Sequence, residues 1–113
     1  MKTIDSFIIE FIRSAEEHYI CLEDKNYSKR SRINKKLIRM LEKLESIENE
    51  TLVIKKILDS KSYSAILWVA NYGLQRKICV EEIVILLEEI KNSSKPSFSI
   101  SAFTILNNNS LTF

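Results

Sequence analysis

The chain is almost without glycine and proline: Gly73 and Pro96 are the single instances in 113 residues. An all-β protein needs a turn roughly every ten residues and usually builds those turns from Gly, Pro and Asn, so helices are the default. The same scarcity removes the glycine-rich phosphate cradles of the Rossmann and Walker kinds, and no cofactor is expected. Cysteine and histidine are equally sparse. Cys21 and Cys79 stand far apart, and His18 is the sole histidine, so no Cys-x-x-Cys or Glu-x-x-His spacing is available for a zinc knuckle, a redox pair or a bundle metal site.

Long apolar runs are missing too. Asp5, Glu10 and Arg13 interrupt the N-terminal segment, which therefore lacks the pattern of a secretory signal, and the reading is an intracellular, cytoplasmic protein with both thiols reduced and packed as small apolar side chains. The stretch between Lys61 and Arg76 carries no charge, but it contains Ser62, Ser64, Asn71 and Gln75 and falls short of the about twenty apolar residues that span a bilayer. No membrane partner is expected. The segment from Pro96 to Phe113 is also uncharged, and its many Ser, Thr and Asn residues make it an amphipathic end piece.

What is present is apolar side chains at steps of three and four, in one domain's length of chain. Ile4, Ile8, Phe11, Ile12, Ala15, Tyr19 and Leu22 predict a first helix that ends near Glu23 to Lys25. Asn26 or Ser28 then caps a second, whose face is Ile33, Leu37, Met40, Leu41, Leu44 and Ile47. Asn49 is the expected N-cap of a third helix from Glu50 to Leu58. The uncharged stretch forms a fourth, closed near Gly73 in the left-handed conformation that ends helices. Val80 to Lys91 and Ser97 to Leu106 give the fifth and sixth. The fourth is apolar nearly all round, which marks an element surrounded by the others. The expected fold is all-α, five to six helices in antiparallel neighbours in a single domain over residues 1–113.

Ala65-Ile66-Leu67-Trp68-Val69-Ala70-Asn71-Tyr72-Gly73-Leu74 resembles the second helix of a HEAT-type repeat, and Ile57-Leu58-Asp59-Ser60 resembles the Leu-Leu-Asp that ends the first. With Leu86-Leu87-Glu88-Glu89-Ile90 and Ala102-x-x-Ile105-Leu106, the helix order is similar to a small bacterial family of HEAT-like domains of unknown function, the one numbered two thousand and nineteen. Ile66 stands where the repeat usually has Arg, Gly73 takes the usual Leu position, and Asn109 falls near an expected Trp. The resemblance implies a compact HEAT-like stack and no particular activity.

Catalytic chemistry has one candidate. Ser14 and Cys21 lie on the His18 side of the first helix, so His18 could serve either as general base. Glu17 is a poor orienter, because adjacent helix positions do not face each other, and no glycine-rich turn supplies an oxyanion hole. The enzyme reading is therefore not adopted. The acidic pairs Glu81-Glu82 and Glu88-Glu89 repeat at seven and read as a solvated strip.

The second helix holds the stronger signal. Lys25, Lys29, Arg32, Lys36, Arg39 and Lys43 fall within one stripe, and Lys25 to Glu45 has a charge of +6 in a chain of +2, leaving −4 elsewhere. Such a dipolar layout suits a solvated helix face, an acidic protein or a phosphate backbone. Asn34, at the border of that helix's apolar face, is expected to act as a structural lock if buried. The leading expectation is a non-enzymatic protein-protein interaction module of the immunity or antitoxin type, its partner a protein such as a toxin; the alternative is a nucleic-acid-binding helical domain. The candidate contacts are Lys29, Arg32, Lys36, Arg39 and Lys43 on the second helix and Ser64, Leu67, Trp68 and Asn71 on the fourth.

Overall fold

Six helices account for the chain in the computed structural model, which describes residues 4–109: α1 (Ile4–Glu23), α2 (Tyr27–Leu44), α3 (Glu50–Asp59), α4 (Tyr63–Gln75), α5 (Val80–Lys91) and α6 (Pro96–Asn108). The end piece read to Phe113 therefore lies partly outside the described residues. All-α architecture with six helices and no strand among those residues matches the expectation from periodicity. None of the helices is long and apolar enough to cross a membrane.

Local chemistry explains most of the boundaries. The Asn26 side chain accepts a hydrogen bond from the Lys29 amide at 3.3 Å, and Ser62 accepts one from the Ala65 amide at 3.4 Å, so α2 and α4 begin on side-chain caps. Pro96 opens α6, where its missing N–H leaves no orphan. Asn49 occupies the N-cap position of α3 but makes no side-chain capping bond, contrary to expectation.

The C-terminal ends hold a second correction. Gly73 does not close α4 and has no positive φ; it lies buried inside the helix. Its role is steric, because a Cβ there would stand 2.5 Å from Ile83 Cδ1 and 3.2 Å from the Ile78 carbonyl oxygen. The left-handed residues are instead Lys25, Lys61 and Lys77, with φ of 58, 60 and 59°, and Cys79 before α5, with φ of 52°. Around Lys25, its amide donates to the Leu22 carbonyl at 3.3 Å and the Asn26 amide to the Cys21 carbonyl at 2.9 Å. Lys77 and Ile78 repeat the pattern onto Leu74 and Gly73. Both are Schellman closures without glycine.

Packing centres on α4, which every other helix touches. Ala65, Ile66, Leu67, Val69, Ala70 and Leu74 are all buried there, and Phe11, Leu37, Ile57, Ile83, Leu87 and Leu106 reach them from the five neighbours. Each large side chain so enclosed contributes about 1.5–3 kcal/mol of transfer free energy. Helices α1 and α2 run antiparallel along each other. Glu17 pairs with Lys29 and Glu10 with Lys36, so a step of seven down one helix matches a step of seven up the other. The α6 end is tied back to α4, since Asn109 Nδ2 donates to Asn71 Oδ1 at 3.1 Å.

Candidate functional site

The antiparallel register of α1 and α2 sorts the basic stripe into two groups. Lys29 and Lys36, seven apart, face the acids of α1: Lys29 Nζ meets Glu17 at 2.8 Å and Lys36 Nζ meets Glu10 at 2.9 Å. The hydrogen bond and charge of Lys29 hold the Glu17 carboxyl below its usual range, and Glu17 in turn raises the Lys29 ammonium. These two cations are internally compensated. Arg32, Arg39 and Lys43 are exposed and make no ion pair among the described residues. Lys43 continues the Lys29–Lys36 row by another seven, but the acids of α1 on that row stop at Glu10. Lys25 sits before α2 as its left-handed lead-in.

Beside these free cations runs a groove of about 510 Å³ between the first turns of α1 and the C-terminal half of α2. Ile4, Phe7, Met40 and Ile47 give it apolar walls, and Glu10, Lys36, Arg39, Lys43 and Ser46 form its edges. Phe7 is held by stacking on Phe11, at 6.3 Å between ring centroids. Sequence periodicity missed this groove, because Phe7 falls off the main apolar stripe of α1 and Ile47, expected on the face of α2, lies past the end of that helix at Leu44. Phe7, apolar beyond what the stripe requires, was the available signal.

The α4 facet is not the open surface expected. Ser64 and Leu67 are buried, with 6% and 3% of their surfaces exposed, because all five other helices touch α4. Trp68 and Asn71 are half-buried and form part of the wall of a shallow groove of about 490 Å³ between α1, α4 and α6, which also receives His18, Tyr72 and Ile100. Asn71 is already engaged by Asn109. The facet and the stripe are therefore separate features, and the structure does not bring them into one site.

His18 is a packing residue in this geometry. Its ring stands edge-on to Trp68 at 5.0 Å and to Tyr19 at 5.4 Å, and Nδ1 is buried without a hydrogen-bond partner among the described residues. Burial, and secondarily the charge of Arg30, pushes its pKa below the ordinary histidine value. Ser14 and Cys21 are buried, and Nδ1 has among the described residues no acceptor to orient the ring as a general base. Among the described residues no group of three His, Cys, Asp or Glu side chains could hold a metal ion.

The acidic strip of α5 does not stay whole either. Glu82 pairs with Lys55 of α3 at 2.9 Å, Glu88 with Lys91 at 2.8 Å, and Glu89 accepts from the Tyr63 hydroxyl at 3.0 Å. Asn34 is half-buried and makes no side-chain hydrogen bond among the described residues, so the burial on which its role as a lock depended is not met. The lock lies elsewhere, and sequence reading did not find it. Glu50, at the start of α3, accepts the Tyr72 hydroxyl at 2.6 Å and the Arg76 Nε–H at 3.1 Å, which ties α3 to the end of α4. Burial first, and then that hydrogen bond, drives the Tyr72 pKa well above the usual tyrosine value. No family model, curated protein or solved structure matches this chain.

Proposed function

We propose that the chain is a non-enzymatic protein-interaction module of the immunity or antitoxin type, acting in the cytoplasm through the outer face of α2. The observation that carries this reading is the set Arg32, Arg39 and Lys43, exposed and without ion pairs among the described residues, in a segment of +6 whose remaining chain carries −4. A field of that shape attracts an acidic surface to one side of the molecule and repels it from the others. The likeness to the HEAT-like family agrees with such a role, since small helical stacks commonly serve as binding surfaces.

A pull-down from the native host, repeated with Arg32→Glu and Arg39→Glu, tests it. The expected result is a stable acidic protein recovered by the parent and lost by the variants. Recovery of no protein, with unchanged host function on charge reversal, would overturn it. Binding of DNA or RNA that weakens steeply as salt rises from about 50 to about 200 mM would replace it with the nucleic-acid reading.

A further inference from the structure

We propose that the groove between α1 and α2 seats an acidic amphipathic helix of the partner protein. This deepens the interaction-module reading, on which it rests, by giving the place and chemistry of contact. The walls at Phe7, Met40 and Ile47 are apolar, whereas Arg39 and Lys43 at the edge carry no ion pair among the described residues. An occupant must satisfy both at once, with apolar side chains directed inward and carboxylates directed at the rim. A helix with apolar residues at i, i+4 and i+7 and acids beside them does so, because those positions share one face.

The dimensions agree. A volume of about 510 Å³ lies in the range of about 300–1,000 Å³ typical of pockets that enclose a ligand, and it takes a few side chains rather than a whole domain. Two helices already flank the groove, so a third laid along them meets the ridges and grooves that helices pack by. Glu10 and Lys36 are paired at 2.9 Å on one edge, so the cations left to meet the acids of the occupant are Arg39 and Lys43. A phosphate backbone has no use for the apolar floor, and this separates the occupant from nucleic acid.

The test is titration of the isotope-labelled protein with a synthetic helical peptide bearing Leu at i, i+4, i+7 and i+11 and Glu on the flanking positions. Amide resonances of Phe7, Met40 and Ile47 are expected to shift, and Lys43→Glu and Ile47→Ser are each expected to weaken binding by about tenfold. Lys43 is exposed and Ile47 lies half-buried in the loop after α2, and unchanged helical circular dichroism checks that both variants keep the fold. A peptide with Lys in place of Glu is expected not to bind. No shift in these amides up to about 1 mM peptide, or equal binding of the Lys peptide, overturns the proposal. So does a stronger response of the same amides to phosphatidylserine vesicles, or a concentration-dependent dimer abolished by Ile47→Ser. In the host pull-down the two readings part. A partner insensitive to Ile47→Ser and Lys43→Glu but lost with Arg32→Glu removes the groove and keeps the module, whereas recovery of no partner removes the module.

Discussion

Gly73 and Ile83 pack with no room for a methyl group between them: a Cβ on residue 73 would lie 2.5 Å from Ile83 Cδ1, and Ile83 is fully buried and has nowhere to swing. Alanine would improve helix propensity by about 1 kcal/mol, but overpacking at such a contact costs about 1–3 kcal/mol. Gly73→Ala is therefore expected to lower stability in chemical denaturation. Ile83→Val, which removes the clashing carbon, should cost less in the Gly73→Ala background than alone. An alanine variant more stable than the parent would show that α4 and α5 are not in close approach.

The three left-handed lysines predict the opposite outcome. A non-glycine residue in that region costs about 1–2 kcal/mol, and glycine gives back about 0.5–1 kcal/mol of this in unfolded-state entropy. Lys77→Gly should stabilise by about 0.5–1 kcal/mol, with Lys25→Gly and Lys61→Gly similar and nearly additive. Midpoints that fall in all three would contradict the assigned backbone.

His18 provides a pH signature, and as the chain's one histidine its ring resonances are unambiguous. Its folded pKa is depressed, so the unfolded chain binds more protons in the window below about 6.5, and stability falls as pH drops through that window. The ring should titrate below the ordinary value. His18→Phe is expected to remove this component of acid sensitivity while leaving the Trp68 contact apolar.

Tyr72 works at the alkaline end. Its raised folded pKa means that its contribution is complete below about pH 10 and is lost as pH climbs toward the folded value. Tyr19, raised by burial, and Tyr63, raised by its hydrogen bond to Glu89, add to the same alkaline loss. Tyr72→Phe should therefore flatten the profile only in part. Glu50→Gln should weaken the tie between α3 and α4 at neutral pH by about 1–3 kcal/mol, since it removes a half-buried charged acceptor.

The helices themselves were legible because apolar residues at three and four residue steps must share a face, and α5 follows that reading from Val80 to Lys91. The central place of α4 was legible from its nearly unbroken apolar surface. Gly73 was misread because sequence alone does not distinguish a glycine required by φ from one required by a neighbour, and the partner atom, on Ile83, lies in the next helix. Lysines 25 and 77 carry no sign of the left-handed closures they make. The basic stripe was visible as a period. Which of its cations remain free depends on the register of α1 against α2, and that register also creates the groove.

One contact between the ends of the chain bears on how the molecule comes apart. Tyr19 of α1 donates to Ser101 Oγ at 3.2 Å and meets the Phe98 ring edge-on at 5.0 Å, while Glu23 pairs with Lys95 at 2.6 Å. In an open stack each helical pair feels only its neighbours, and melting starts at either end and spreads inward. Here the first pair grips the last as well as the middle, so loosening α6 also exposes Tyr19 at the heart of α1. Unfolding is expected to be a single concerted event, with amide protection in α1 and α6 lost together rather than in sequence.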